Sequence, residues 1–231
     1  MKSLKILSGG AAQGLVDSLR PAFEAATGCT IAGTFGAVGA MRACLLAGEP
    51  ADLVILTRAL IDGLAKDGHV AAHSAADLGT VETAVAIRRG EALPAIGDAD
   101  ALRTALLASD EIHFPDPEQA TAGIHFAKVL HDLGISNEVA SRLKTAPNGA
   151  TAMRALAAST SRHPIGCTQA TEILSTPGIV LVAPLPPGCA LATVYTAATS
   201  AKAQLAAEAA RLAMLLTDAA GRANRRRLGF V

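Results

Sequence analysis

The sequence predicts an α/β fold, and three patterns carry this prediction. A short apolar run at residues 4–7 leads through a glycine-bearing turn into a helix whose apolar residues recur at helical spacing from Leu15. Residues 51–57 (ADLVILT) are apolar on both faces, as expected of a strand covered on both sides of a sheet. Strands of this kind alternate with helices along the chain, which indicates mainly parallel sheets flanked by helices.

The first third of the chain contains three strand–helix pairs in succession. Strands are predicted at residues 4–7, 29–36 and 51–57, and helices at residues 15–27, 37–48 and 58–68. Gly28 follows the last periodic apolar residue of the first helix, a position at which a left-handed glycine commonly ends a helix. We therefore expect the first helix to stop at Gly28.

The same alternation starts again after Gly79. Strands are predicted at residues 80–90, 111–116 and 164–169, and helices at residues 98–108, 121–133, 138–143 and 149–158. Residues 178–188 (GIVLVAPLPPG) predict a buried strand followed by a hinge rich in proline and glycine. A strand at residues 192–199 and alanine-rich helices after residue 201 complete the pattern.

Composition excludes several classes of function. Lys plus Arg and Asp plus Glu both number 20, so the overall charge does not steer the chain toward nucleic acid or an anionic membrane. Aromatic residues make up 3% and tryptophan is absent, which leaves few platforms for stacking nucleic-acid bases. Arg225, Arg226 and Arg227 form a single basic run, at a predicted helix C-terminus where cations are favourable. We expect neither nucleic-acid binding nor membrane insertion.

The cysteines and the first residues bear on compartment and metal binding. Cys29, Cys44, Cys167 and Cys189 form no CxxC pair, so we expect reduced thiols, no metal site and no cofactor. Residues 1–7 pass directly into a strand without the apolar stretch and cleavage site of a secretory leader. As written, the sequence predicts a cytoplasmic location, or a periplasmic one if a signal peptide was removed.

The order and spacing of these motifs resemble the type II periplasmic binding proteins, most closely the molybdate-binding family of ABC-transporter solute receptors. The resemblance runs from end to end. It is carried by the opening LKILSGGAAQGLVDSLRPAFEAATG, then TFGAVGAMRACLLAGEPADLVILT, FPDPEQATAGIHFAKVLHDLGI, PIGCTQATEIL, GIVLVAPLP and the final LGF.

The resemblance implies a two-lobed α/β fold with two crossover strands and a ligand held between the lobes. Lobe I would comprise residues 1–79 plus 184–231, and lobe II residues 80–183. This agrees with the restart near Thr80 and the proline-rich return near Pro184. The partners implied are a small-molecule anion and, only if the chain is exported, an ABC permease.

Receptors of this family hold an oxyanion mainly with helix N-termini and hydroxyl side chains, because orphan backbone N–H groups and the helix dipole favour negative charge. Carried onto this sequence residue by residue, the resemblance implies one set of ligand-binding residues. They are Ser8, Gly9, Gly10, Ala11, Gly36, Ala37, Val38, Thr57, Arg58, Thr121, Thr151, Thr168 and Gln169.

This sequence departs from the family pattern at three places. Ala11 and Val38 align with the family's ligand-binding serines, and Thr168 with Gln169 stands where the family often has a tyrosine. Each lost donor costs on the order of 1.5–3 kcal/mol when the acceptor is charged. The remaining groups favour an organic carboxylate over molybdate or tungstate, and Arg58 could bind a carboxylate bidentately or lie on a solvated helix surface.

Catalysis would need a titratable group in the cleft, and the candidates are His113, Asp116 and His125. Three hypotheses stay open: a solute-binding protein for a small anion, an isomerase or lyase of unsaturated carboxylic acids on the same scaffold, and a ligand-free interaction protein. Aconitate isomerase is the apt comparison for the second, because it resembles the molybdate-binding family.

Overall fold

The computed structural model describes residues 2–231, which form two compact units. The first unit comprises residues up to Val81 together with Thr193–Val231, and the second comprises Glu82–Ala192. The first boundary lies close to the expected residue 79, whereas the second lies beyond the expected residue 183. The second unit extends further because Leu185 N–H donates to the Thr83 carbonyl, and Thr83 N–H donates to the Leu191 carbonyl, at 3.0 and 2.9 Å.

Nine strands are present in the described residues. They are β1 (Ser3–Gly9), β2 (Thr30–Gly36), β3 (Leu53–Thr57), β4 (Ala76–Arg88), β5 (Glu111–Pro115), β6 (Leu143–Ala146), β7 (Pro164–Gln169), β8 (Ile179–Pro184) and β9 (Ala192–Thr199).

Ten α-helices accompany these strands within residues 2–231. They are α1 (Gln13–Thr27), α2 (Val38–Leu46), α3 (Arg58–Lys66), α4 (Ala99–Ala108), α5 (Thr121–Asp132), α6 (Ser136–Val139), α7 (Gly149–Ala158), α8 (Ala170–Leu174), α9 (Ala206–Thr217) and α10 (Arg222–Arg227). Helix α1 ends where the sequence predicts, because Gly28 adopts a φ of 64° and donates its N–H to the Glu24 carbonyl.

In the first unit, the strands are ordered β2-β1-β3-β9. Strand β1 runs parallel to β2 and β3, and β9 is antiparallel to β3. All five residues of β3 are buried, which explains its uninterrupted apolar sequence. Asp52, directly before β3, accepts N–H bonds from Lys5, Gln204 and Leu205 at 2.8–3.0 Å. One buried carboxylate therefore joins the beginning of this unit to its last segment.

In the second unit, β6-β5-β7 are parallel neighbours, and β4 pairs antiparallel with both β7 and β8. Phe114 on β5 and Phe126 on α5 meet edge to face, with ring centroids 5.3 Å apart, in the core of the unit. The chain thus has the α/β fold that the sequence predicts, with parallel strands followed by helices in each unit and antiparallel strands beside them.

No helix within residues 2–231 is both long and apolar enough to cross a bilayer. Across the same residues, no three His, Cys, Asp or Glu side chains come together in a group that could hold a metal ion. All four cysteines are free thiols, and three of them are buried.

Candidate functional site

In the first unit, three parallel strands end at the same edge of the sheet. Ser8 of β1 lies opposite Phe35 of β2 and Ile55 of β3, so the ends of these strands are neighbours. Each strand leads directly into a helix, β1 through a single turn of 3-10 helix at Gly10–Ala12. This edge brings together all nine ligand-binding residues predicted for this unit: Ser8, Gly9, Gly10, Ala11, Gly36, Ala37, Val38, Thr57 and Arg58.

The three helices that begin at this edge have no N-cap side chain bonded to their backbone. The N-cap residues of α1, α2 and α3 are Ala12, Ala37 and Thr57, and none makes a side-chain capping bond to the described chain. By contrast, Asp98 caps α4 by accepting the Ala101 N–H at 2.8 Å. Uncapped N-termini leave backbone donors free for an anion, and the helix dipole favours it further.

The backbone at Gly9 is closely approached by two side chains. A Cβ atom at this position would lie 2.8 Å from Val38 Cγ1 and 3.1 Å from Tyr195 Cε1. Gly9 therefore has to be glycine for the first turn to sit against α2 and β9. Tyr195, which lies opposite Thr57 in the β3–β9 pair, was missed from the sequence. The sequence contains a single tyrosine, and this was the signal that could have marked Tyr195 as a candidate site residue.

Two of the predicted polar side chains in this unit already have partners. The buried Ser8 hydroxyl donates to the Gly9 carbonyl at 2.9 Å. The Arg58 guanidinium pairs with Asp77, and that hydrogen bond raises the Arg58 pKa above its ordinary value. Asp77 also accepts a hydrogen bond from Thr196 at 2.6 Å. The charge of Arg58 is thus already balanced within the first unit.

In the second unit, β5, β6 and β7 also end beside one another, and each is followed by a helix. Thr121 is the first residue of α5, whose N-cap, Ala120, provides no side-chain cap in the described structure. Two residues later, a Cβ atom on Gly123 would lie 2.1 Å from the Asp116 carbonyl oxygen. The loop after β5 therefore lies directly against the start of α5.

The N-terminus of α7 differs, because groups of the chain itself occupy it. Asn148 caps the helix by accepting the Thr151 N–H at 2.9 Å, and Arg154 donates to the Thr151 hydroxyl. The Glu172 carboxylate accepts a hydrogen bond from Thr168 at 2.6 Å, and a Cβ atom on Gly149 would lie only 1.9 Å from Glu172 Oε2. Thr151 therefore donates its N–H to the Asn148 cap, and Thr168 donates its hydroxyl to the Glu172 carboxylate.

Glu172 is the buried acid of this arrangement. It is 7% exposed, and this burial raises the pKa of the carboxyl above its usual value. The Thr168 hydroxyl and the backbone N–H groups of Ala150 and Gln169 act in the opposite direction by favouring the charged form. The structure therefore places an acid with a raised pKa beside the end of β7.

Gln169 and Thr83 are buried together without partners. They lie directly opposite each other in the antiparallel β4–β7 pair, and they are 2% and 1% exposed. Neither the amide oxygen and nitrogen of Gln169 nor the Thr83 hydroxyl has a hydrogen-bond partner among residues 2–231. Thr83 could not be found from sequence, because only the strand register places it beside Gln169.

The three catalytic candidates each make a local contact. His113 is buried in β5, and its Nε2 lies 3.0 Å from Glu111 Oε2. Asp116 accepts the N–H groups of Glu118 and Gln119, which shapes the turn before α5. His125 Nε2 lies 2.7 Å from the Cys189 carbonyl oxygen. None of these contacts joins one of the three side chains to another.

Comparisons with known proteins extend this picture. The model of the bacterial extracellular solute-binding protein family matches residues 4–231. An aconitate isomerase from Pseudomonas sp is 31% identical over 211 residues, which cover 87% of this chain and 77% of that protein.

Solved structures show the same fold at lower identity. The periplasmic molybdate-binding protein of Azotobacter vinelandii aligns with a TM-score of 0.81 at 18% identity, covering 99% of this chain and 98% of that one. The sulfate-binding protein SubI of Mycobacterium tuberculosis aligns with a TM-score of 0.77 at 18% identity, covering 100% and 86%. The strands are followed by helices as in these structures, and the chain has the type II periplasmic-binding-protein fold. The chain belongs to the bacterial extracellular solute-binding protein family.

Proposed function

We propose that this chain binds a small organic anion carrying carboxylate groups, with the carboxyl edge of β1, β2 and β3 as its anion-binding surface. One observation carries the proposal: three successive strands lead into helices with no capping side chain in residues 2–231. Each such helix end contributes about 0.3–1 kcal/mol toward a negative charge, and three lie side by side. Membership of a solute-binding family supports the same conclusion.

An organic acid is favoured over an inorganic oxyanion because this edge is poor in side-chain donors. Ala11 and Val38 line the turns that lead into α1 and α2, and neither side chain can donate a hydrogen bond. A tetrahedral oxyanion buried there would lose donors worth on the order of 1.5–3 kcal/mol each. A molybdate or tungstate receptor is therefore the less favoured function. An ABC permease is a proposed partner only for an exported form of the chain.

The substitution Ala37→Asp tests this surface. An aspartate at the N-cap of α2 should cap the helix as Asp98 caps α4, which contributes about 0.5–2 kcal/mol. Its carboxylate would also occupy the position proposed for the ligand anion and repel it. Thermal unfolding with a panel of di- and tricarboxylates measures the result, since a ligand at 100 times its Kd adds about 2.7 kcal/mol of stability.

We expect the wild-type protein to be stabilised by at least one acid of the panel and Ala37→Asp to lose that stabilisation. Because Ala37 is 6% exposed, desolvation of the new carboxylate opposes its capping bond, and unfolding without ligand measures that balance separately. Ala95→Asp is the matched control, because it adds the same charge at an exposed position of the second unit. Full ligand stabilisation of Ala37→Asp would contradict the proposal, as would a wild-type protein indifferent to every acid.

An isomerase of unsaturated carboxylic acids is the second candidate. The observation that favours it is the 31% identity to a protein described as an aconitate isomerase. Such a reaction moves a proton, or rotates about a double bond, and proton transfer needs a titratable group near the substrate. His113, Asp116 and His125 stay the candidates from sequence, and Glu172 adds a buried carboxyl with a raised pKa.

Ultraviolet absorbance separates the two candidates. An isomerase will change the absorbance of cis- or trans-aconitate until an equilibrium mixture is reached, whereas a binding protein will be stabilised by the acid and leave its spectrum unchanged. Stabilisation by aconitate with no absorbance change at equimolar protein would rule out isomerisation of aconitate. Turnover in the wild type and its loss in Ala37→Asp would establish the enzyme and place its substrate at the same surface.

A further inference from the structure

Strand β8 forms an open edge of the second unit. It pairs with β4, and no other strand of the described chain lies beside it. The Arg89 N–H donates to the Gly178 carbonyl at 2.8 Å, which makes these facing residues a hydrogen-bonded pair. Such pairs alternate along an antiparallel ladder, so the N–H and C=O groups of Ile179 and Leu181 point away from β4. This edge can therefore bond to a further strand.

The sequence of β8 leaves its edge unprotected. Exposed edges in soluble proteins are usually blocked by charged residues or proline, whereas residues 179–183 (IVLVA) contain neither. Val180 and Val182 pack against the hydrophobic core of the unit. Strand alternation places Ile179 and Leu181 on the opposite face of β8, and α8 packs against this strand.

A groove lies beside this edge, within the second unit. Its walls are β8, the end of α8, the turn between them and Arg89, and its volume is about 450 Å³. This volume falls within the range of about 300–1,000 Å³ that is usual for ligand pockets. The groove wall includes Leu174, which is 49% exposed although it is a large apolar residue. An apolar side chain placed in the groove would bury this surface.

Arg89 is the one charged residue among the described residues that line the groove. It is exposed, and its guanidinium makes no hydrogen bond or ion pair within residues 2–231. The neighbouring Arg88, by contrast, pairs with Glu91. Because Arg89 faces Gly178, the residue before β8, an unpaired positive charge marks the N-terminal end of this edge. A guanidinium of this kind can bind a carboxylate through two parallel hydrogen bonds.

We propose that β8 and this groove bind the C-terminal segment of a partner protein as an added strand, antiparallel to β8. An antiparallel segment runs toward residue 179, so its terminal carboxylate reaches Arg89. A parallel segment would instead bring a positively charged N-terminus to Arg89. Main-chain hydrogen bonds to Ile179 and Leu181 provide affinity, and an apolar side chain against Leu174 provides specificity. This peptide site is separate from the proposed organic-acid site.

Short peptides that differ in one group test the chemistry of the partner. The probe is the fluorescein-labelled hexapeptide KTVTVL with a free C-terminal carboxylate, and fluorescence anisotropy with the whole chain measures its binding. We expect the C-terminal amide of the same peptide to bind about tenfold more weakly, because it lacks a charge-assisted hydrogen bond. The peptide KTVTVS should also bind more weakly. Methylation of alternate backbone nitrogens should weaken binding only at the positions that face β8.

The substitution Arg89→Met tests carboxylate recognition. The preference for the free carboxylate over the amide should fall to near unity, whereas binding of the amide should be unchanged. Arg162→Met is the matched control, because it removes another exposed arginine of the second unit that makes no bond within residues 2–231. This control should keep the full preference.

The substitution Leu174→Ser tests the apolar wall. It should weaken binding of the free-carboxylate peptide, and because Leu174 is half exposed the variant should fold. Ile124→Ser is the matched control: Ile124 is also 49% exposed on a helix of the same unit but does not line the groove, so this variant should bind as the wild type does.

Three outcomes would overturn the proposal. These are no binding of the free-carboxylate peptide at millimolar concentration, equal binding of the free acid and the amide, and equal effects of the matched variants. A wild-type dimer in sedimentation analysis that Leu174→Ser converts to a monomer would show that a second copy occupies the edge, and would also overturn it. Stabilisation by organic acids should be the same in Arg89→Met as in the wild type, so the peptide site and the proposed function succeed or fail separately.

Discussion

At the scale of single residues, Glu172 shows how burial and hydrogen bonding oppose each other. Enclosure raises the pKa of its carboxyl, while the Thr168 hydroxyl and two backbone N–H groups stabilise the charged form. Glu111 in the same unit shows the reverse balance. Hydrogen bonds from Ser159 and His113 lower its pKa, and its partial exposure adds little desolvation.

Because their pKa values are shifted in opposite directions, Glu172 and Glu111 should change the stability of the fold with pH in opposite directions. The folded-state pKa of Glu172 lies above its ordinary value of 4.5, so between these values the folded protein holds more protons than the unfolded chain. Stability from this group is therefore complete below about pH 4.5 and falls as pH rises toward the folded pKa. Glu172→Gln should remove that fall, which has a slope of at most about 1.4 kcal/mol per pH unit.

Urea unfolding of the wild type, Glu172→Gln and Glu111→Gln from pH 3.5 to 8 checks this prediction. The advantage of Glu172→Gln over the wild type should grow as pH rises above 4.5. Glu111→Gln is the matched comparison: Glu111 stabilises the fold above pH 4.5, so its variant should lose stability at neutral pH and approach the wild type in acid. Parallel pH profiles for the wild type and Glu172→Gln would contradict the raised pKa.

At the scale of elements, helix N-termini fall into two groups. Those of α1, α2 and α3 lack a capping side chain in the described structure, whereas α4 and α7 are capped by Asp98 and Asn148. Helices α5, α6, α8, α9 and α10 also lack one in the described residues, so α1, α2 and α3 are distinguished by following neighbouring strands of one sheet edge and not by the absence of a cap. Backbone N–H groups without a capping side chain at that edge stay available for a ligand. In α4 and α7, by contrast, a side chain of the same chain accepts a hydrogen bond from a backbone N–H at the helix N-terminus.

Asn148→Ala is predicted to lower the free energy of unfolding by about 0.5–2 kcal/mol, because it leaves the Thr151 N–H without its acceptor. Denaturant unfolding measures the change, and Asp98→Ala should give a similar loss at α4. Thr57→Ala is the informative contrast. Its side chain makes no capping bond in residues 2–231, so this substitution should cost less than either. Equal losses in all three variants would show that capping does not distinguish these helices.

Elements with strong apolar patterns were predicted well, and those defined by tertiary contacts were not. The uniformly buried β3 was evident from its sequence, as was the end of α1 at Gly28. Strand β6 was missed, because its four residues, LKTA, carry no apolar run and pair only along one side with β5. The expected helix at residues 138–143 instead stops at Val139, continues as a turn of 3-10 helix and leads into β6.

At the scale of the whole molecule, the predicted site residues divide into two sets, one in each unit. The turns after parallel strands were accessible from sequence because the α/β pattern places anion-binding loops at strand ends. Tyr195 and Thr83 were inaccessible, since both reach the site residues through antiparallel pairing that no local pattern encodes. The interlobe cleft implied by the family resemblance stays a prediction.

The first unit is built from two stretches of chain separated by the whole second unit, and Asp52 binds backbone from both stretches. This arrangement has a consequence for biosynthesis. Strand β3 cannot acquire β9 as its neighbour until residues 192–199 have been translated, and at ordinary elongation rates residues 82–199 take roughly 6–24 s to make. During that interval Leu53, Val54 and Ile55 would lie on an open, apolar sheet margin, the kind of unpaired strand edge that can pair with another chain.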